Sequence, residues 1–445
     1  MIGDAEEYVG QGLDFFDLAA LALLLVAVVE HLNERYARLP RAVAVLIAAL
    51  AVSLVLAALE WLGGPSAASA IRASVVRPGL SYVFLEGVLA LLLFAGTLQV
   101  DPTGLRERKW TILTLSTVSV MVSTAVFGAG IWAIGAALGN PIPLAWCMVL
   151  GAILAPTDAV VVHAVMARVP LPPGLRAEIA GESLFNDGTG VVLFVVTLAI
   201  AGGASGQIGQ GRFLAALLEA GIGGAAIGLV CGHVTGLVMR HAAEAVVRLT
   251  LSLALAIGCY RLAHALGVSG PIAVVAAGLA MSAVRTSGAG NVTSSIVPFW
   301  VLLDEVLNAI LFLLLGLQVL GLSVATHHLL TIALAIPLAL LSRLCGVLLP
   351  VACGASAPRE VARALIVMVW SGLRGGISVA LALTMPDAPY RPELLAICYA
   401  VVVFSMLVQG LTMRPVLKGL YKDQVSKCQP CLGHPNQQPC ATSRQ

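Results

Sequence analysis

The sequence predicts an all-α, polytopic membrane protein with thirteen transmembrane helices. Its 445 residues are 59% hydrophobic and only 11% charged, and the mean hydropathy is +0.97. Soluble proteins carry about 25% charged residues, so this chain has too little charge to cover a surface in water. The composition excludes a water-soluble enzyme, a nucleic-acid-binding protein and a disordered protein. It makes the lipid bilayer the expected partner.

Thirteen stretches are apolar and long enough to cross a bilayer, which takes about 20 residues at a rise of about 1.5 Å each. Charged residues or clusters of glycine and proline separate them. In chain order the predicted spans cover residues 13–33, 41–62, 79–99, 111–138, 143–166, 174–201, 212–239, 245–266, 268–285, 296–322, 329–352, 360–384 and 391–418.

The positions of the basic residues test this count, because cytoplasmic loops are enriched in lysine and arginine. With the N-terminus outside, 18 of the 25 basic residues lie on the cytoplasmic side, five lie outside, and Arg343 and Arg374 fall within spans. The first apolar run follows acidic residues and lacks a basic segment before it, so no cleavable signal peptide is expected. We therefore predict a multi-pass protein of the cell (inner) membrane with an external N-terminus and a cytoplasmic C-terminus.

The tail, residues 423–445, is short and polar, and we expect it to be disordered. It contains three cysteines and a histidine with metal-ligand chemistry, so a zinc site is the alternative. Their spacing, C-x2-C-x2-H-x5-C, is tighter than zinc sites usually show. The four residues are Cys428, Cys431, His434 and Cys440.

The fifth predicted span carries a break at mid-membrane depth. Pro156 removes a backbone donor and disfavours helix at the residue before it, and Thr157 and Asp158 follow directly. A carboxylate at the centre of a span costs about 2.5–3.5 kcal/mol, and such residues mark ion pathways. Capping of the second half-helix is another role for Asp158, and the two roles are compatible.

The sixth predicted span places four polar side chains on one helix face. Glu182 and Asn186 are four residues apart, as are Ser183 and Asp187, and residues at this spacing are neighbours on a helix. A location at the headgroups fits Asp187 poorly, because it lies near the middle of the span. The pattern favours a functional role for Asp187.

The twelfth predicted span contains a cation at mid-depth. Arg374 lies among Gly372, Gly375 and Gly376, which weaken the helix there. No acid lies within one turn on its own helix, so the sequence predicts a structural ion pair with Glu182 of the sixth span.

Spans five and twelve thus carry one break in each half of the chain. Interrupted helices in corresponding halves are typical of transporters whose site lies where two inverted repeats meet. The two halves share no visible residue-level similarity, so the repeat is inferred from the breaks alone.

These residues resemble the NhaP-type monovalent cation:proton antiporters, the bacterial relatives of animal sodium/proton exchangers. The matching segments are PTDAV, GESLFNDGTG, LNAILFLLLGLQ and WSGLRGGISVALAL, and the resemblance extends from residue 13 to about 420. It implies inverted repeats with two unwound helices, spans five and twelve, that cross near mid-membrane. It also implies a homodimer with a transmembrane domain over residues 1–422, a dimerisation part (13–100 and 212–322) and an ion-binding core (111–201 and 329–418).

The resemblance assigns roles to the singled-out residues. Asp187 is expected to bind a cation and a proton alternately. Glu182 is expected to hold Arg374 and Asn186 in an ion bridge that supports the site. The Asn–Asp pair at 186–187, where electrogenic relatives have two acids, implies electroneutral exchange. No resident cofactor is expected. The expected ion-binding residues are Asp187, Asp158, Thr157, Ser183 and Asn186, and Asp187, Thr157 and Ser183 are the expected ligands of the transported cation.

Two departures bear on cation preference. Ala159 stands where relatives have a proline, although Pro156 supplies a break on the other side of the Thr-Asp pair. Ala95 stands where several relatives carry an acid in span three. The role of that acid in cation coordination or pH control is not carried over to this chain. From the resemblance, Na⁺ is the first expectation, with Li⁺ and K⁺ as alternatives.

Two other classes are alternatives. Another polytopic transporter or a channel would have the same hydropathy, but would need more polar or aromatic groups at mid-depth. An intramembrane aspartic protease would use Asp158 and Asp187, but it leaves Arg374 unexplained and its second acid lacks the preceding glycine.

Overall fold

The computed structural model describes residues 15–61, 78–99, 102–158, 162, 166, 171–202, 212–286, 295–318, 328–354 and 358–421. All regular elements in these residues are helical, and two short π-helical turns, Asn33–Ala37 and Ser405–Gln409, interrupt the α-helices. The α-helices are α1 (Phe15–Leu32), α2 (Arg41–Trp61), α3 (Pro78–Gln99), α4 (Pro102–Glu107), α5 (Lys109–Ser116), α6 (Val118–Ala137), α7 (Leu144–Leu154), α8 (Pro173–Ala201), α9 (Arg212–Met239), α10 (Ala245–Ala265), α11 (Gly270–Thr286), α12 (Val297–Gln318), α13 (Leu329–Gly354), α14 (Pro358–Trp370), α15 (Gly376–Leu383), α16 (Arg391–Phe404) and α17 (Gly410–Leu420).

Eight helical stretches in the described part are long and apolar enough to cross a membrane, and three shorter helices are also apolar. Each predicted span overlaps at least one of the helices given above. The prediction of an all-helical, polytopic membrane protein is confirmed at this level. The number of thirteen crossings stays a prediction.

Two hydrophobic clusters fill the interior. The larger one surrounds α7 and α8 and draws its side chains from α2, α6, α12, α13 and α14 to α17. The second one joins α3, α10, α11 and the start of α12 around Trp300, whose ring centroid lies 4.7 Å from that of Phe94. Trp300 donates a hydrogen bond to Ser252 Oγ over 3.0 Å, so its polar group is satisfied in the core. Leu184 of α8 belongs to the second cluster, so α8 contacts both.

A row of glycines brings α9 and α11 into backbone contact. Gly224, Gly228 and Gly232 recur every four residues, and therefore share one face of α9. A Cβ at Gly224 would lie 2.5 Å from the carbonyl oxygen of Ser269, and a Cβ at either of the other two would overlap a carbonyl of α11. Small residues at this spacing let membrane helices approach closely and gain dispersion contacts along their whole length.

Gly228→Ala is expected to destabilise the protein, because its methyl group would overlap the carbonyl of Ala273. The measurement is the midpoint of thermal unfolding of the purified protein in detergent. Gly258→Ala on α10 is the matched control, because a Cβ there meets nothing within 4 Å. Alanine favours helix over glycine by about 1 kcal/mol, so the control should unfold at the same or a higher temperature. Equal midpoints for the two variants would contradict the close packing of α9 on α11.

Candidate functional site

Two helices end where the sequence predicts breaks. α7 ends at Leu154, and Ala155 keeps helical backbone angles of φ −72° and ψ −40°. The interruption therefore begins at Pro156 itself, one residue later than the restriction on residues before proline suggests. In the second case α14 ends at Trp370 and α15 begins at Gly376, with residues 371–375 outside either helix.

The two interruptions touch each other through their main chains. The backbone N–H of Asp158 donates a hydrogen bond to the carbonyl oxygen of Leu373 over 2.8 Å. A Cβ at Gly375 would overlap the carboxyl group of Asp158, and a Cβ at Gly190 of α8 would overlap the ring of Pro156. Glycine is required at both positions because a Cβ would clash. Backbone strain is not the reason at Gly375, since its φ of −109° is open to other residues.

Arg374 neutralises the end of the first broken helix. Its guanidinium is buried and donates hydrogen bonds to the carbonyl oxygens of Ala155 and Pro156, the latter at 3.0 Å. These carbonyls lie at the negative end of the α7 dipole, where a cation is stabilising. The backbone N–H of Arg374 donates to Ser405 Oγ over 2.6 Å. The second interruption is thereby fixed to the first and to the π-helical turn.

Glu182 forms its ion pair with Arg343 of α13, so the predicted pair with Arg374 is wrong. The contact is bidentate, with Nη2 donating to Oε2 over 2.8 Å and Nη1 donating to Oε1. Both side chains are buried, at 1% and 3% exposure. Arg343 also donates from Nε to the carbonyl of Met368 over 3.2 Å. A Cβ at Gly372 would lie 2.7 Å from this Nε, so this glycine makes room for the arginine.

Sequence reasoning placed Arg343 within a span and gave it no role. A cation in an apolar helix was a signal of the same kind as Arg374, and both needed a buried partner. Which of the two arginines pairs with Glu182 depends on the distances between helices, and these distances cannot be derived from the sequence. Arg374 donates instead to helix-end carbonyls, and the one deep carboxylate of α8 that is fully buried pairs with Arg343.

Two side chains of α8 hydrogen-bond to Thr157 in the first interruption. Ser183 Oγ donates to the carbonyl oxygen of Thr157, and Asn186 Nδ2 donates to Thr157 Oγ1 over 2.7 Å. Asn186 therefore bonds to Thr157 and not to the ion pair, which corrects the predicted three-residue bridge. Its Oδ1 is buried and has no hydrogen-bond partner in the described part of the chain.

Asp187 differs from the other deep charges of the described part. Its side chain is half-buried and makes no hydrogen bond or ion pair with any described residue. Asp158 lies close enough for the two negative charges to act on each other. The structure thus gathers two carboxylates, two hydroxyls and an amide oxygen at the crossing, a donor set that suits a hard alkali cation.

No group of three or more His, Cys, Asp or Glu that could hold a metal ion occurs among the described residues. The alternative zinc ligands of the tail and Ala159 lie outside those residues.

Known proteins match the chain over most of its length. The family described as sodium/hydrogen exchanger, transmembrane, matches residues 13–419. The Na(+)/H(+) antiporter NhaP of Pseudomonas aeruginosa is 37% identical over 421 residues, which cover 92% of this chain and 97% of that protein. The Na(+)/H(+) antiporter NhaH of Halobacillus dabanensis is 30% identical over 413 residues, 91% of this chain and 96% of that protein.

A solved structure has the same fold. The sodium proton antiporter MjNhaP1 from Methanocaldococcus jannaschii, at pH 8, superimposes with a TM-score of 0.70 at 21% identity, over 90% of this chain and 97% of that one. The family match over residues 13–419 and the 37% identity to NhaP carry the assignment beyond the fold. The chain therefore belongs to the sodium/hydrogen exchanger family, whose members are transmembrane transporters and not enzymes.

Proposed function

We propose that this chain exchanges a monovalent cation for H⁺ across the cell membrane, with Na⁺ as the first cation and Li⁺ or K⁺ as alternatives, and so serves pH homeostasis. The observation that carries the proposal is the carboxylate of Asp187, which has no partner among the described residues and lies beside the crossing of two interrupted helices. NhaP of P. aeruginosa and NhaH of H. dabanensis are named as Na⁺/H⁺ antiporters, in agreement with it.

The coupling of cation movement to proton movement follows from the cost of an unpaired charge at membrane depth. An isolated carboxylate is expensive to hold in a medium of low dielectric constant, and the nearby charge of Asp158 adds repulsion. Either a proton or a cation bound at Asp187 relieves this cost, and the two compete for the same oxygens. The site does not move from one side of the membrane to the other while it is empty and charged. Each reorientation therefore carries one of the two ions. Alternating access of this site to the two sides completes the exchange.

The other donors agree with a hard cation. The hydroxyl hydrogen of Ser183 points to the Thr157 carbonyl, so the lone pairs of its Oγ are free to face an ion. The buried Oδ1 of Asn186 is a further acceptor without a donor among the described residues. Alkali cations take oxygen ligands of this type.

The two buried arginines hold helices in place and do not bind the transported ion. Arg343 is neutralised by Glu182, and Arg374 is occupied by two helix-end carbonyls. Both guanidinium groups hold partners of their own, so neither is positioned to pair with Asp187. The neutral Asn186 next to Asp187 leaves one exchangeable carboxylate on α8, in agreement with one cation exchanged for one proton.

We further propose the membrane arrangement that the sequence predicts: thirteen spans, spans five and twelve unwound at their crossing, an external N-terminus and a cytoplasmic C-terminus in the inner membrane. The excess of lysine and arginine on one predicted side supports the orientation. A homodimer, with a dimerisation part and an ion-binding core as bounded above, completes the proposal. Glutaraldehyde cross-linking of the protein in native membranes tests the dimer.

Asp187→Asn is expected to abolish exchange, because the amide can neither release a proton nor balance a cation. The assay follows a pH-gradient dye in everted vesicles, with dequenching started by sodium, lithium or potassium chloride and with choline chloride as the blank. The wild type should respond to at least one alkali cation, and the order of the responses gives its preference.

Asp387→Asn is the matched control for that variant, because this carboxylate is 98% exposed and its one ion pair within the described part of the chain is with Arg391, four residues on. It should retain exchange at the level of the wild type. Cation-driven dequenching that survives in Asp187→Asn, at equal amounts of inserted protein, would refute the assignment of the site.

Electroneutral exchange is tested in proteoliposomes. Because one cation replaces one proton, the initial rate of sodium-driven proton movement should be the same with and without a potassium diffusion potential set by valinomycin. If K⁺ is itself a substrate, a permeant anion replaces it in setting the potential. A rate that changes severalfold with the sign of the potential would contradict the one-for-one exchange.

A double-mutant cycle tests the partner of Glu182. Arg343→Met leaves this carboxylate buried and unpaired, which costs about 3–5 kcal/mol, so the unfolding temperature in detergent should fall clearly. Combining it with Glu182→Gln removes the orphaned charge and should recover much of the loss. Arg374→Met is the comparison, and Glu182→Gln should not rescue it. Rescue of Arg374→Met instead would support the pair predicted from the sequence.

A further inference from the structure

We propose that an anionic phospholipid binds in a crevice between α5, α8 and α11. The crevice is a cavity of about 450 Å³, and none of the proposed ion ligands lines it. It is apolar inside and positively charged at its edge. The residues that carry the argument are Arg106, Lys109, Trp110, Leu113, Phe185 and Leu279.

The walls suit a hydrocarbon chain. Leu113 of α5, Phe185 of α8 and Leu279 of α11 face the cavity, together with other aliphatic side chains. Trp110 is 71% exposed and Leu113 is 50% exposed, although both lie in a stretch apolar enough to cross a membrane. In a bilayer these surfaces meet lipid and not water, and an acyl chain fills the cavity without desolvating a polar group.

The edge suits a phosphate. Arg106 and Lys109 are exposed and form no ion pair with any described residue, and the Lys109 ammonium lies 5.5 Å from the centre of the Trp110 ring. The neighbouring Arg108 differs, because it pairs with Glu178 over 3.2 Å. Two cations that lack an acidic partner in the described part, beside an apolar cavity, match an amphiphile with a negative head group. They also repel alkali cations, which argues against the crevice as a path to Asp187.

The position of Lys109 at the start of α5 gives a lipid head group the right depth in the membrane. Lys109 is the first residue of the apolar stretch Lys109–Ala137, so its charge lies at a membrane face. Ser116, also in the cavity wall, is seven residues further on, which is about 10 Å deeper at 1.5 Å per residue. A head group at Arg106 and Lys109 would thus place the first part of its acyl chain between α5, α8 and α11.

The lipid would join elements that are distant in the chain. It would contact α8, the helix that carries Asp187, and α11, which packs along α9. Binding to the folded state alone raises thermal stability by mass action. The proposal concerns binding and stability, and it stands whether or not the proposed exchange activity is correct.

The test compares Arg106→Gln/Lys109→Gln with the wild type, both delipidated in detergent and titrated with phosphatidylglycerol or phosphatidylcholine. Phosphatidylglycerol should raise the unfolding temperature of the wild type by about 2–4 °C more than phosphatidylcholine does. The double variant should lose this difference. Native mass spectrometry should show phosphatidylglycerol bound roughly 25-fold more weakly, from about fivefold for each cation removed.

Arg414→Gln/Lys418→Gln is the matched control. It removes the same two charges from an exposed face of α17, and neither residue lines the crevice. This variant should keep the full preference for phosphatidylglycerol. An equal loss in both double variants would reduce the effect to general charge attraction and overturn the proposal.

Leu279→Trp tests the acyl-chain part of the site with both cations kept. The larger side chain occupies the cavity, so this variant should lose the stabilisation by phosphatidylglycerol. Glycerol 3-phosphate, the head-group chemistry without chains, should not stabilise the wild type at the same concentration. Stabilisation by glycerol 3-phosphate that Leu279→Trp leaves intact would show a free phosphate site and would overturn the lipid proposal.

Discussion

The contact of Arg374 with the end of α7 is the interaction on which the site depends. Ending a helix in the middle of an apolar region leaves carbonyl groups without donors, and no water is at hand to satisfy them. The buried guanidinium supplies donors to Ala155 and Pro156, and its own charge is offset by those carbonyls and by the negative end of the helix dipole. Pro156 starts the interruption, and the cation lowers the cost of the backbone carbonyls that the helix end leaves without donors.

Glycine makes the crossing sterically possible. Gly375 and Gly190 each face a group of the first interruption that a methyl group would overlap, and Gly372 makes room for Arg343. The same device holds α9 against α11, where Gly228 meets a backbone carbonyl. Glycine serves close approach at these positions and not an unusual backbone angle, since positive φ at glycine occurs in the described part only at Gly139 and Gly267.

The sequence predicted the local features and could not predict which distant groups meet. Low charge and long apolar runs indicated membrane helices, and Pro156 and the glycines around Arg374 indicated breaks near which helices end in the structure, at Leu154 and Trp370. Asp187 was recognised because a lone carboxylate in an apolar run is expensive wherever it lies. The partner of Glu182 was wrong because two arginines satisfied the same local argument. The crevice was not foreseen at all, because its walls come from three helices separated by some seventy to ninety residues, and only packing brings Leu113, Phe185 and Leu279 together.

Charged residues that pair within the protein differ in role from charged residues that lack an ionic partner there, and this difference matters more than their depth in the membrane. The deep groups with strong protein partners, Glu182, Arg343 and Arg374, hold helices in place, and their charges are not available to a ligand. Asp187 has no such partner among the described residues, and in the proposed mechanism a proton or a cation balances its charge. The same reasoning applies with the opposite sign to Arg106 and Lys109, whose charges lie beside an apolar cavity and call for an anion with a hydrocarbon chain. Water or small ions can also balance the exposed charges of Arg106 and Lys109, but the apolar cavity beside these two residues favours a ligand that carries a hydrocarbon chain.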